Sequence, residues 1–450
     1  MKSKLCMRNK FFSVGMIIIL MLFIIACGGG GGGDTPPAPI TYNISGTVSG
    51  AVVNGVTITL TGAATASITT DSSGVYSFPG LANGSYTVTP SLTGYTFTPT
   101  STAETVSGAN ITGTNFVATA VSIAFTQADL TGTWHLYALN TSDSDNASWW
   151  RAIFTVDSSG NVTFLSGLHS DGDTTIPAPG TVTMTINSSG VITITGSGNT
   201  GDHWTMASNK KFIAGTTTSG GGGSDKNTIS ILQKEVPGTT YSSADVQNKS
   251  LVYHHLMVGT DKKWIYGAET TNATGTITNT SETTPSGTTS YGPTGVTLSV
   301  NSSGIVTMDG DMAAFQGFLS ADKKTIVGTW RAADSYHLMI IQVTGQTYAA
   351  GLLPAGTWVS HMLATGVGVA FWARFTDTCT GSGVITFSDW VDSNGGSAPA
   401  GSHTGSISSS GTVTVAESPS FHGQASDDGK FMVATQTVTT GAYSLQVNTH

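Results

Sequence analysis

Charged residues are scarce in this chain: only 10% of its 450 residues are Asp, Glu, Lys or Arg. The formal net charge is −9 and no basic stripe is present, so we expect no nucleic acid partner. The three cysteines, Cys6, Cys27 and Cys379, have no paired spacing. They therefore predict neither a disulfide framework nor a zinc site.

Catalytic signatures are also missing. The sequence contains no G-x-S-x-G elbow and no H-E-x-x-H motif, which argues against the hydrolases that carry them. What it has instead is 57 glycines and many Thr and Ser residues. That composition is typical of exported, turn-rich β proteins, whose strands favour β-branched residues.

The N-terminus has the pattern of an export signal. Residues 1–10 are basic, and an apolar run follows from Val14 to Ala26, which is too short to span a bilayer comfortably. The run ends in Ile-Ile-Ala-Cys-Gly at residues 24–28. This ending resembles the bacterial lipobox, and the resemblance implies a signal peptide over 1–26 and a diacylglycerol on Cys27 as a membrane anchor.

The segment 27–40 predicts a tether, because an unbroken glycine run (28–33) is followed by a stiffer Pro-rich piece. By resemblance to sorted lipoproteins, Gly28 after the cysteine favours the outer membrane of a Gram-negative bacterium. The cell-surface face and the periplasmic face both stay open.

Residues 41–119 predict a small β-sandwich, because short alternating runs are separated by turn residues at roughly ten-residue intervals. The stretches 70–78 and 84–90, TDSSGVYSF and GSYTVTP, resemble the carboxypeptidase regulatory-like domain, a transthyretin-like fold. That resemblance implies a spacer or adhesion module. We expect Asp71 to cap a turn, and we expect a core that includes Val56, Ile58, Leu60, Tyr76, Phe78, Tyr86 and Val88.

The rest of the chain repeats one pattern three times. The turns closed by Gly190, Gly304 and Gly411 are equivalent and sit between alternating strands. We therefore predict an all-β protein in which the sandwich is followed by three tandem β-meander repeats. Their expected bounds are 121–236, 237–345 and 346–450.

Each repeat contains about eight strands, which predicts an eight-stranded up-and-down barrel; a six-bladed β-propeller is the alternative. The tight turn at 187–190 favours the barrel, because a propeller would need a longer connection there. The Gly-Thr-Trp at 132–134 and 356–358 resembles the first strand of lipocalin-like and avidin-like barrels. Only single short helical turns are expected, at 128–130 and 244–246.

Aromatic residues that recur at the start of the second strand are the candidate ligand-binding residues, since an outward ring could stack on a sugar or anchor a partner. Core packing is the alternative reading of the same residues. The candidates are Trp149, Trp150, Trp264, Phe371 and Trp372.

Metal and catalytic candidates are few. Asp143, Asp145 and Asn146 form an oxygen-rich loop that is a weak Ca²⁺ candidate, because EF-hand spacing is missing. His254 and His255 point to opposite faces of one strand, so they cannot share a metal. We expect no other cofactor and name no catalytic residue.

Together these features predict a non-enzymatic, lipid-anchored protein of the cell envelope that binds a glycan or protein through its repeats. The alternatives are a secreted hydrolase with a pocket in one repeat and a purely structural envelope component.

Overall fold

The computed structural model describes residues 39–92, 94–121, 124–141, 147–219, 226–289, 293–345, 356–366, 369–379, 383–397, 400–426 and 428–450. The predicted signal peptide, Cys27 and most of the tether lie outside these ranges, as do the calcium candidates Asp143, Asp145 and Asn146. Among the residues described, no helix has the length and apolar character needed to cross a membrane.

The N-terminal domain is the predicted β-sandwich. One sheet has the strand order β4-β1-β8-β6 and the other β3-β2-β5-β7. The strands are β1 (Tyr42–Gly50), β2 (Thr57–Gly62), β3 (Ala66–Thr69), β4 (Val75–Leu81), β5 (Gly84–Ser91), β6 (Tyr95–Thr98), β7 (Thr102–Val106) and β8 (Phe116–Ala120).

The predicted core of the sandwich is confirmed. Its alternating apolar residues are buried between the two sheets, because successive side chains of a strand point to opposite faces. The Asp71 carboxylate accepts hydrogen bonds from the backbone N–H groups of Ser73 (2.9 Å) and Val75 (2.8 Å), as expected for a turn cap. The buried core residues include Val56, Ile58, Leu60, Tyr76, Phe78, Tyr86 and Val88.

Repeat 1 is an eight-stranded antiparallel sheet that follows a single helical turn, α1 (Gln127–Leu130). Its edge strands meet at one bridge, between Asn161 and Thr183. The strands are β9 (Gly132–Thr141), β10 (Ser148–Val156), β11 (Val162–His169), β12 (Thr183–Ile186), β13 (Val191–Thr195), β14 (Thr200–Met206), β15 (Phe212–Ser219) and β16 (Lys226–Lys234).

Repeat 2 closes through an extra pairing between its second and third strands and carries one additional short strand, β20. A 3-10 turn, Ser243–Asp245, precedes it, and another, Gly310–Met312, lies within it. The strands are β17 (Ser250–Gly259), β18 (Lys263–Thr271), β19 (Thr276–Thr284), β20 (Gly287–Thr289), β21 (Pro293–Val300), β22 (Ile305–Met308), β23 (Gln316–Leu319), β24 (Thr325–Ala332) and β25 (Ser335–Val343).

Repeat 3 is a closed eight-stranded barrel. Its strands are β26 (Gly356–Gly366), β27 (Val369–Cys379), β28 (Val384–Asp392), β29 (Gly401–Ile407), β30 (Thr412–Val415), β31 (Ser418–Ala425), β32 (Phe431–Thr439) and β33 (Ala442–Thr449).

The barrel prediction is confirmed and the propeller alternative is wrong. In each repeat the strands before and after the glycine-closed turn pair within one sheet, as β12 does with β13. The Asn187 carboxamide oxygen accepts hydrogen bonds from the N–H groups of Ser189 and Val191, both at 3.0 Å. Gly190 follows with a φ of 83°, a left-handed conformation that costs glycine little.

Strand register identifies equivalent positions in the three repeats. The first two strands of each repeat place a Trp directly opposite a Leu on the outer face. These pairs are Trp149–Leu139, Trp264–Leu256 and Trp372–Leu363.

The repeats pack head to tail and close a ring. Strands β9 and β10 contact β24 and β25, strands β17 and β18 contact β32 and β33, and strands β26 and β27 contact β15 and β16. Because the third interface returns to repeat 1, this is a closed heterologous arrangement. One cluster of buried apolar side chains draws members from all three repeats, so the outer faces of the barrels form a shared core.

Candidate functional site

Three of the five candidate aromatics lie in that shared core. Trp149, Trp264 and Trp372 are 5%, 2% and 2% exposed, which leaves no ring face open to a sugar. Trp372 Nε1 donates a hydrogen bond to Thr218 Oγ1 of repeat 1 at 2.8 Å. Trp264 Nε1 donates in the same way to Thr437 Oγ1 of repeat 3, at 2.9 Å.

The other two candidates point into their own repeats. Trp150 packs against the apolar interior of repeat 1 and stacks on His169, with ring centroids 5.5 Å apart. Phe371 packs against an interior cluster of repeat 3. The structure thus places all five aromatics in packed surroundings and does not bring them together in one site.

The two adjacent histidines lie on opposite faces of β17, as predicted. His254 faces repeat 3, where its Nδ1 is 3.5 Å from Thr435 Oγ1. His255 faces the interior of repeat 2, where its Nε2 is 2.9 Å from His337 Nδ1. In the described part of the chain, no three His, Cys, Asp or Glu side chains form a group that could hold a metal ion.

The interior of repeat 3 contains a cavity of about 200 Å³. Most of its lining is apolar or aromatic, and Phe375 and Trp390 stack within it with ring centroids 5.1 Å apart. A cavity of this kind, apolar with a few polar groups, is the usual form of a small-molecule site. The lining includes Trp358, Phe375, Phe387, Trp390, Val413 and Phe421.

A polar cluster lies at one wall of this cavity. The Ser360 hydroxyl contacts both the Asp377 carboxylate and the Asn448 side-chain oxygen. Gln446 Nε2 donates to the same Asn448 oxygen at 2.7 Å. Asp377 and Gln446 line the cavity directly, so they can meet a ligand.

Burial controls the acid–base state of this wall. It raises the pKa of Asp377 to about 6, while the Ser360 hydrogen bond opposes that rise. Burial, with the nearby Asp377 charge, also raises the pKa of Cys379 to about 12. Cys379 is therefore an inert thiol in the cavity wall at neutral pH, as expected for a lone structural cysteine.

Two sequence differences distinguish the interior of repeat 3 from that of repeat 1. Strand register places Gly423 of repeat 3 where repeat 1 has Trp204, and Asp377 where repeat 1 has Phe154. In repeat 1 the Trp204 ring fills the interior so closely that a Cβ at Gly215 would lie 2.1 Å from it. In repeat 3 the Phe421 ring lies 2.8 Å from the place that a Cβ at Gly423 would take, so a phenylalanine occupies space that the indole fills in repeat 1. The Asp377 carboxyl lines the cavity directly and makes its wall polar.

The residues that line the cavity of repeat 3 were not among the sequence candidates, although aligning the repeats could have found Asp377. The sequence candidates are aromatic positions that the repeats share. A ligand site in one repeat depends on positions where that repeat differs from the others. Asp377 differs in this way from Phe154 of repeat 1, whereas repeat 2 also has an acid, Glu269, at that place in the strand register.

Comparison with known proteins gives one family match. Residues 46–134 match the SdrD B-like domain, an Ig-like adhesin domain. The match covers most of the sandwich and continues through α1 into β9, which is a minor part of the chain. It names a different family from the carboxypeptidase regulatory-like domain, so that resemblance is not confirmed.

No curated protein sequence matches the chain. Among solved structures, it is similar to the crystal structure of the isotype 1 transferrin binding protein B from serogroup B Neisseria meningitidis. The two share 8% identity with a TM-score of 0.22, over 71% of this chain and 76% of that chain.

Proposed function

We propose that this protein is a non-enzymatic, lipid-anchored binding protein of the bacterial cell surface, and that repeat 3 holds a small apolar ligand. The cavity inside repeat 3 is the observation that carries this proposal. The match of residues 46–134 to an adhesin-type domain supports a surface location. In this arrangement the sandwich acts as a spacer or adhesion module, and the ring of repeats carries the ligand.

The chemistry of the cavity limits the class of ligand. Aromatic and aliphatic walls favour a hydrocarbon or aromatic body, because burying apolar surface contributes about 25 cal/mol per Å². Near neutral pH the Asp377 side chain is largely a carboxylate, since its pKa is about 6. A ligand with a hydrogen-bond donor at one end is therefore favoured over one with an acceptor or an acid there.

An apolar fluorophore tests the cavity. N-phenyl-1-naphthylamine has an aromatic body and one N–H donor, and we expect its fluorescence to rise as it enters repeat 3. Val415→Trp adds an indole to the cavity lining and should weaken binding by about tenfold or more, because about 100 Å² of apolar contact is worth about 2.5 kcal/mol.

Val391→Trp is the matched control. Strand β28 contributes several residues to the cavity lining, but its Val391 is not one of them and is 39% exposed. Replacing Val391 should therefore leave fluorophore binding unchanged. Equal binding to wild type and Val415→Trp, or no binding at all, would contradict the cavity proposal. Adhesion through the sandwich would then be the function that the family match favours.

The membrane anchor is tested separately. We expect a labelled fatty acid to be incorporated into the wild-type protein in bacteria and to be lost completely from Cys27→Ala, because the thiol would carry the acyl-bearing lipid. Cys6→Ala is the control and should keep its label. Equal labelling of wild type and Cys27→Ala would refute the anchor without affecting the cavity proposal.

A further inference from the structure

A crevice of about 300 Å³ lies between repeats 1 and 2, away from the cavity of repeat 3. Its repeat 1 wall comes from β9, β10 and β11, and its repeat 2 wall from β22 and β23. The apolar lining includes Ile153, Leu168 and Ile305, and the polar lining includes Arg151 and Gln316.

Arg151 is an unpaired cation in this crevice. Its Nη1 atom is buried and has no hydrogen-bond partner, and the described residues supply no carboxylate in an ion pair with it. The guanidinium carbon lies 4.9 Å from the centroid of the Trp149 ring. A ring face attracts a cation but does not satisfy its N–H donors, and unsatisfied buried donors are rare and costly.

The other two interfaces of the ring show what is missing here. Strand register makes Arg151 equivalent to Tyr266 and Arg374. Tyr266 stacks on His422 of the next repeat, with ring centroids 5.1 Å apart. Arg374 lies close enough to His203 of the next repeat to lower the pKa of that histidine, although burial is the larger cause.

At the interface between repeats 1 and 2, the position of those histidines holds Gln316 instead. The imidazole that packs in the other interfaces is replaced by a side chain that offers both a donor and an acceptor. Gln316 and the unpaired Arg151 line the same crevice. The His135 Nε2 atom, also on this wall, lies 3.6 Å from the Glu235 carboxylate, so we assign that imidazole no role toward a ligand.

We propose that the crevice binds a small carboxylic acid in its anionic form, with its carboxylate at the Arg151 guanidinium and the Gln316 amide and its apolar body against Ile153, Leu168 and Ile305. A guanidinium pairs well with a carboxylate because its fork of N–H groups matches the two oxygens. The neighbouring aliphatic side chains exclude water and strengthen that contact. This site does not depend on the function proposed for repeat 3.

Benzoate is the probe for this site. We expect it to bind the full chain at neutral pH in a ligand-observed NMR titration, while benzamide, its uncharged analogue, binds at least about tenfold more weakly. Arg151→Met should weaken benzoate binding by about tenfold or more, because it removes the cation and keeps an apolar stem on Trp149.

Arg374→Met is the matched control, since it removes the equivalent arginine from the interface between repeats 3 and 1. It should leave benzoate binding unchanged. Should Arg151→Met fail to fold, Gln316→Leu provides the second test and should also weaken benzoate binding. Benzoate and benzamide binding equally, benzoate failing to bind, or Arg374→Met losing as much affinity as Arg151→Met would each overturn the proposal.

Discussion

Replacing Trp372 with Ala is expected to lower the free energy of unfolding of the ring of repeats by about 3–5 kcal/mol. Trp372 is 2% exposed and belongs to the core that all three repeats share. Its ring centroid lies 5.0 Å from that of His203, and its Nε1 donates to Thr218, so it joins repeat 3 to repeat 1. The substitution removes an aromatic side chain from an interface that cannot easily collapse.

Two further variants separate the causes of that loss. Trp372→Phe keeps most of the packing and removes the hydrogen bond to Thr218. We expect the lost hydrogen bond to lower the free energy of unfolding by about 1 kcal/mol, and the smaller ring to lower it further. Trp390→Ala is the control in the same repeat, because Trp390 is only partly buried and does not belong to the shared core.

Guanidinium unfolding followed by near-ultraviolet circular dichroism measures the effect. The sandwich has its own core, and its transition must be separated from that of the ring. A loss for Trp372→Ala no larger than that for Trp390→Ala would mean that the repeats are held together by something other than this core.

Acid is expected to destabilise the protein strongly between pH 7.5 and pH 5. Burial lowers the pKa of His254 and His361 to about 3, and that of His135 and His337 to about 4. In the unfolded chain these imidazoles take up a proton near pH 6.5. Their contribution to stability is therefore complete above about pH 6.5 and is lost as the pH falls.

The magnitudes decide the net direction. At pH 5 each of these four histidines lowers the free energy of unfolding by about 2 kcal/mol, or about 8 kcal/mol together. Burial also lowers the pKa of His255, which adds to the loss. Burial raises the pKa of Glu269 to about 7 and that of Asp377 to about 6, so these two acids gain stability as the pH falls. That gain is about 4 kcal/mol at pH 5, which offsets only half of the loss.

A single histidine variant tests the assignment. His361→Gln removes one buried imidazole, so the difference in unfolding free energy between pH 7.5 and pH 5 should shrink by about 2 kcal/mol. His403→Gln is the control, because the His403 side chain is 40% exposed, and it should leave that difference nearly unchanged. A pH dependence that His361→Gln does not alter would contradict the prediction, whatever its effect on stability at neutral pH.

Alternation along the strands was enough to predict the barrels, but it misled the choice of site residues. Trp149 and Trp150 are adjacent, so one had to point into repeat 1 and the other out of it. An outward aromatic on an isolated barrel would be exposed and available to a ligand. Here the outer face packs against the next repeat, and the outward Trp149 is as buried as a core residue.

One signal of that packing was present in the sequence. In β17 the residues from Leu251 to Val258 are all buried, and they read as a nearly continuous apolar run interrupted by two histidines. A strand with one solvent-exposed face would alternate, whereas a strand buried on both faces need not. The run at 251–258 therefore indicated an outer face covered by protein.

The cavity was harder to predict, because an interior space depends on how far the neighbouring side chains fill it. Gly423 in place of Trp204, and Asp377 in place of Phe154, are visible once the repeats are aligned. Whether neighbouring side chains collapse into the vacated volume depends on packing across the barrel. Repeats 2 and 3 both have a glycine at the first of these positions, and in both a phenylalanine ring lies against it, Phe315 at Gly317 and Phe421 at Gly423. The glycine by itself therefore does not predict a cavity.

The amino-acid sequence by itself determined the triplication, the strands, the glycine-closed turns and the sandwich, because strand period and turn chemistry are local properties. Only the tertiary structure decided that the repeats close a ring, that the recurring tryptophans serve as its core, and that repeat 3 is hollow. Those outcomes depend on which surfaces meet across long sequence separations. A period of two specifies that a side chain points to one face, and the packing of the whole chain specifies what it meets there.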